Sequence, residues 1–179
     1  IHYISMAEAK STITWPSSVY TNSSRGTVSY VTANPTTFVT GSTDYDWHYS
    51  SRDNTLWTTS GNEKSVYDPC PSGWRVPDGG RSGVWSTALG SSSSFTDELL
   101  YDSTNNGMNF SGKFGSDQTI WYPASGYRSY NDGSLGSVGS SGYYWFASPY
   151  YHNAYYLYFS SNGYVDPSSY SGRAYGRSI

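Results

Sequence analysis

Asp44, Asp46 and His48 stand two residues apart. In an extended segment that spacing puts two carboxylates and an imidazole on one face, where they could hold a metal ion. No fourth donor follows at a metal-site spacing, and a polar loop edge around Trp47 explains the same residues more simply. His2 and His152 lie far from this group in the chain. Ser, His and Asp all occur, but no Gly-x-Ser-x-Gly elbow presents a serine to a base. Cys70, the one cysteine, stands between Pro69 and Pro71. The prolines fix the backbone on both sides, and a thiol held so reads as structural rather than nucleophilic. No phosphate loop of the Gly-x-x-x-x-Gly-Lys-Ser/Thr form occurs. The chain therefore reads as non-enzymatic, with no cofactor and no metal expected.

The tail carries a different chemistry, that of contact. Residues 146–179 hold eight tyrosines and no Lys, Glu, Gln, Met or Trp. Those five types supply 16 of the first 145 residues, so their absence here is a bias. Tyr offers large, stiff, amphipathic area, and Ser, Gly and Asn adapt around it, which is the composition of a paratope. The five missing types are also those that an AAC or AAT codon cannot reach when only its adenines are replaced. In Ala154–Phe159, alternation sets Tyr155, Leu157 and Phe159 on a core face and Tyr156 and Tyr158 on the other. Val165 claims the core side next. The candidate ligand-binding residues are then Tyr150, Tyr151, His152, Asn153, Tyr156, Tyr158, Ser160, Tyr164, Asp166, Ser168, Ser169, Tyr170, Ser171 and Arg177. Of these, Tyr150, Tyr151, His152, Asn153, Tyr156, Tyr158, Ser160, Tyr164, Asp166 and Tyr170 are expected to be accessible and to form one contiguous surface. Mere strand packing is the alternative use of so much Tyr.

Composition narrows the partner. Only 13% of residues are charged and the net charge is −3, which argues against a nucleic-acid partner, since that would require a basic stripe. No apolar run approaches the ~18 residues of a membrane span, so direct membrane insertion is not expected. A variable macromolecular ligand, a protein above all, fits the tail. Aromatics reach 18% against 36% hydrophobic residues overall, so Trp and Tyr must build the core. The richness in Ser, Thr, Gly and Tyr points to a secreted or surface protein.

The elements that must position the tail follow from local patterns. A helix is expected after Pro77, capped by Asp78 or Ser82, with Val84, Trp85, Ala88 and Leu89 as its apolar stripe and an end at Gly90. A short helical stretch is expected over Thr36–Val39, and Thr27–Ala33 suits a strand or a short helix equally. Strands are expected at Thr119–Tyr122, Tyr143–Ala147, Ala154–Phe159 and Arg173–Ile179. The class is α+β with few short helices and a small antiparallel sheet. Trp74, Trp121 and Trp145 are expected to be buried, with Arg75 tied to a carboxylate or to backbone carbonyls; next to Asp68 it could lock the Pro69–Pro77 corner.

The segment Lys64-Ser-Val-Tyr-Asp-Pro-Cys-Pro-Ser-Gly-Trp-Arg-Val-Pro77 resembles the signature of the Fibrobacter-succinogenes-type major paralogous domains, surface proteins of gut bacteria. The resemblance runs on through Asn34-Pro-Thr-Thr-Phe38, Asp46-Trp47, Leu56-Trp57, Trp121-Tyr-Pro-Ala-Ser-Gly-Tyr-Arg128, Gly142-Tyr-Tyr-Trp145 and Arg173-Ala-Tyr-Gly176. It implies a C-type-lectin-like fold over a single domain, 1–179, with 1–8 as a linker or the tail of a preceding segment. Members with a Tyr- and Asn-rich ending resemble the variable proteins of diversity-generating retroelements, which implies a rewritten ligand-binding region at about 143–179. Related domains sit on pilin-like surface proteins and phage tail fibres, so an assembly module of such an appendage is the alternative function and a phage virion the alternative location. Members commonly continue beyond this ending with Arg and Cys, which would give Cys70 a partner past Ile179. The Glu-Pro-Asn, Gln-Pro-Asp and Trp-Asn-Asp tripeptides of calcium-dependent lectins are absent, so binding is expected without calcium.

Overall fold

A computed structural model describes residues 17–41, 45–50, 52–59, 61–114 and 120–179. Its architecture is mixed α/β, with small, mostly antiparallel sheets and a few short helices. The largest sheet is built by the tail: β9 (Ser141–Tyr150), β10 (Asn153–Ser160) and β11 (Tyr164–Gly172), with the two-residue β3 (Phe95–Thr96) at one edge, in the order β3-β11-β10-β9. A second sheet joins β4 (Tyr101–Asp102), β5 (Gly107–Asn109) and β6 (Trp121–Pro123). Strands β7 (Tyr127–Arg128) and β8 (Leu135–Gly136) form a ribbon, and β1 (Ser18–Tyr20) pairs in parallel with β2 (Phe38–Thr40).

The core lies between the first two sheets and helix α2 (Val84–Ala88). Leu157, Phe159 and Val165 are fully buried, as alternation predicts, and meet Phe110, Met108, Tyr144 and Trp85. Aromatic edges knit it together: the Trp85 and Phe110 centroids lie 4.9 Å apart and those of Tyr122 and Tyr144 4.7 Å. Such pairs supply area and orientation that a core poor in aliphatics needs. The Tyr144 hydroxyl donates to the Pro123 carbonyl at 2.6 Å and so satisfies the polar end of a buried ring.

The segment left open between helix and strand is helix α1 (Val28–Ala33). Thr27 decides it: extended itself, it accepts the Tyr30 N–H on its hydroxyl and caps the first turn. Pro35 then forces Asn34 out of helical geometry. The helical expectation for Thr36–Val39 is overturned, because Phe38–Thr40 pair with β1; aromatic and β-branched types suit the strand. Helix α2 ends before Gly90, at φ +66°. Neither Asp78 nor Ser82 caps it; the N-cap is Gly83. Its inward residues are Trp85 and Ser86, while Val84 and Ala88 face out.

The Pro69–Pro77 corner is locked differently from the expectation. Asp68, not Arg75, is its hub: the buried carboxylate accepts from Lys64 Nζ at 2.6 Å and from the backbone N–H groups of Cys70 and Val76, each at 2.9 Å. Arg75 is tied to a carboxylate and a backbone carbonyl as expected, but the carboxylate is Asp78, at 2.6 and 2.8 Å, and the carbonyl is that of Val76, at 3.2 Å. Trp74 is 73% exposed and Val76 is the buried residue of the turn; Gly73, at φ +83°, reverses the chain so that the indole points outward. Trp145 is buried as expected, and Trp121 is half-buried. Burial works against ionisation of Asp68, but Lys64 and the two N–H groups outweigh it and hold its pKa below the usual carboxylate value. A depressed folded-state pKa contributes stability above the unfolded value, near 4, that is lost as pH falls through the folded one. Asp68→Ala is expected to cost about 2–3 kcal/mol at pH 7, since it strands a buried N–H and a lysine. The deficit should shrink as pH falls below about 4; denaturant melts at pH 7 and pH 3 check both parts.

Candidate functional site

Strands β9 and β10 form a hairpin whose tip is Tyr151-His152. Tyr151 takes a left-handed φ of +47°, as the first central residue of a tight hairpin turn requires. Arg173 pins the tip, donating to the Tyr151 and Asn153 carbonyls at 3.3 and 3.2 Å. The pinning presents Tyr151 to solvent at 80% exposure, with His152 exposed beside it.

The candidate residues fall on two faces of the sheet rather than one. On the first, Tyr155 of β10 sits opposite Tyr170 of β11. The Tyr150 ring lies 4.5 Å from Tyr170, 4.9 Å from Tyr155 and 4.8 Å from Tyr151. Tyr155, assigned by alternation to the core face, packs half-buried against the core and forms the base of this cluster. Gly80, at φ +87°, leaves the room its ring occupies, since a Cβ there would stand 3.0 Å from it. Tyr170 is 51% exposed. Asn153, paired with Gly172, and Ser171, paired with Ala154, are both half-buried.

On the opposite face stand Tyr156 and Tyr158, opposite Trp145 and Tyr143 of β9. Asp166 sits opposite Tyr158, and Tyr164 packs 5.8 Å from it. Ser169 lies opposite Tyr156. Ser168 is tied to the Ser92 carbonyl at 2.9 Å and Ser160 to Asn162 at 2.6 Å. Ring contacts continue from Tyr164 through Tyr158, Tyr143, Tyr127, Tyr175 and Tyr130 to Tyr45. This ladder was not expected as a unit; Tyr127, Tyr130 and Tyr45 lie outside the tail, and only long-range folding brings them to it.

Tyr156 corrects the sequence reading: it is buried. Its cover is Arg177, whose guanidinium lies 3.6 Å above the Tyr156 ring and 4.3 Å from Trp145. Arg177 Nε and Nη1 are buried without a hydrogen-bond partner, and the rings supply the cation–π contact in their place. Burial pushes its pKa down to about 10. The chain end carrying it is stitched to β9: Ser178 N–H donates to Tyr143 at 3.1 Å, and Trp145 N–H to Ser178 at 2.8 Å. The expected strand Arg173–Ile179 is accordingly reduced to isolated bridges. Tyr156→Ala, which alternation alone would make harmless, is expected to cost about 2 kcal/mol of folding stability by emptying the site under Arg177; a thermal melt checks it.

Asp46 turns back on its own loop, its Oδ1 accepting the backbone N–H of His48 at 3.0 Å. Asp44 lies outside the described residues. Among the described residues, no three His, Cys, Asp or Glu gather as a metal set would. Burial pushes the Cys70 thiol pKa up, away from the reactive thiolate. Among the described residues, no helix is long and apolar enough to cross a membrane. No protein-family model, no curated protein and no solved structure matches the chain.

Proposed function

We propose that the chain is a non-enzymatic recognition domain of C-type-lectin type, whose C-terminal strands carry a ligand face diversified by a retroelement on a secreted or surface protein. One observation carries this reading. Tyr150, Tyr151 and Tyr170 gather at the hairpin end, with Tyr151 and Tyr170 largely in solvent. Exposed aromatic clusters of this kind are costly to leave in water and are what interfaces use as anchors. The ligand is a protein, held by Tyr anchors with Ser, Asn and His hydrogen bonds around them. The missing residue types of the tail support adenine-directed rewriting. Sequencing the surrounding gene tests that part: a reverse transcriptase and a near-identical template repeat are expected, and their absence from the locus, with tails invariant across a population, would defeat it.

A second reading is an assembly module of a surface appendage or a phage tail fibre. It is favoured by Val66 and Trp74, 91% and 73% exposed in one corner far from the tail in sequence. If that corner packs on a neighbouring subunit, sedimentation should show concentration-dependent association that Trp74→Ser abolishes.

A further inference from the structure

We infer that the cavity beneath the β9–β10 hairpin is a binding pocket for an alkylammonium group. Its volume is about 130 Å³, near the ~150 Å³ of an engineered cavity that takes up one benzene ring. Trp47, Trp57 and Trp145 line it together with Asp46, His48 and Arg173. The inference stands apart from the ligand-face reading, because it concerns a different surface and a small group.

The lining is short of a donor. Asp46 is only 3% exposed. One of its oxygens takes the His48 N–H, and Oδ2 is buried with no partner. An unpaired buried carboxylate oxygen is expensive, and a native site that carries one has a use for it. Arg173 is close enough for its charge and that of Asp46 to act on each other, but its donors go elsewhere. Nε binds the Asn153 carbonyl and Nη1 the Asp53 carbonyl, while Nη2 serves Asn54 Oδ1 and the Tyr151 carbonyl. Arg173 thus builds the pocket roof and leaves the carboxylate unanswered.

A ligand that completes this lining brings donors, positive charge and a short apolar stem. Two carboxylates, Asp46 and Asp53, and one guanidinium, Arg173, stand in the wall, and Arg52 lies near enough for its charge to act on Arg173; what favours a cation is the unanswered Asp46 Oδ2 rather than a net charge. A neutral hydroxyl brings one donor. An ammonium brings three and a charge, and indole faces are the best aromatic partners for it. The alkyl stem then takes the apolar walls. The group can arrive on a free amine or at the end of a lysine side chain.

The experiment is a tryptophan-fluorescence titration of the whole chain with n-butylammonium, n-butanol, butyrate and methyl glucoside at constant ionic strength. Saturable binding of butylammonium, at least tenfold tighter than butanol and with no response to butyrate, is expected. Asp46→Asn is expected to weaken it at least tenfold. Trp57→Leu keeps an apolar wall but removes the π face, so it should weaken butylammonium more than butanol; it decides the matter if Asp46→Asn melts below the assay temperature. Equal affinity for butanol, no saturable response to butylammonium, unchanged binding in a folded Asp46→Asn protein, or binding of the glucoside alone would each overturn the inference. Nα-acetyl-lysine amide and its Nε-acetyl form separate the sources. Binding of the first but not the second assigns a lysine side chain, and binding of butylammonium alone assigns a free amine. Loss of protein binding by the tyrosine surface would leave these titrations unaffected, so the two accounts fail independently.

Discussion

Leu157→Ala should lose about 3–4 kcal/mol of folding stability, the largest single effect expected among tail substitutions. Leu157 is fully buried at the middle of the central strand, with Tyr144 opposite on β9 and the Phe110–Phe159 ring pair in the same core. Truncation removes three carbons from a site walled by rings held edge to edge, which cannot collapse into the space, so the cavity cost adds to the lost transfer energy. Denaturant unfolding measures it. Binding per folded molecule should not change, because Leu157 is fully buried and no part of it reaches the solvent-facing contact surface. A loss below about 1 kcal/mol would mean that β10 is turned over and that the rings assigned to the outside form the core.

The opposite signature belongs to the hairpin end. Tyr151→Ala and Tyr170→Ala should each change stability by less than about 1 kcal/mol, as exposed substitutions do. Each should weaken the protein ligand by about 2 kcal/mol, roughly thirtyfold, if the clustered rings are its anchors. The two rings both lean on Tyr150, so their effects will couple and the double variant will lose less than the sum. Titrating the ligand against the two single variants and the double one reads out both statements.

Alternation carried the sequence reading where a strand's own residues decide its faces. Leu157, Phe159 and Val165 lie inward and Tyr158 outward for that reason. Period-two patterning names a face but not what covers it. Tyr156 is on the expected side and yet buried, because the chain end returns across β9 and lays Arg177 on the ring. Strand β11 escaped notice because Pro167 interrupts it; the register slips between Tyr156 and Tyr158, so Pro167 sits in a bulge where no ladder N–H is needed. Trp74 is expected inside because a chain poor in aliphatics must build its core from tryptophan, whereas the left-handed Gly73 before it turns the indole outward. The tyrosine ladder and the ammonium pocket draw on segments from Tyr45 to Tyr175. No local pattern could bring those together. The class, with small antiparallel sheets and few short helices, was legible because so few stretches carry helical periodicity.

The central claim is that recognition resides in the exposed tyrosines of the hairpin end, and one measurement tests it most directly. The whole chain and its Tyr151→Ser, His152→Ser, Tyr170→Ser triple variant, shown to melt alike, are titrated side by side on an array of surface proteins. The account predicts saturable binding of at least one arrayed protein by the parent chain and a loss of a hundredfold or more in the variant. Equal binding by the two folded proteins would contradict it.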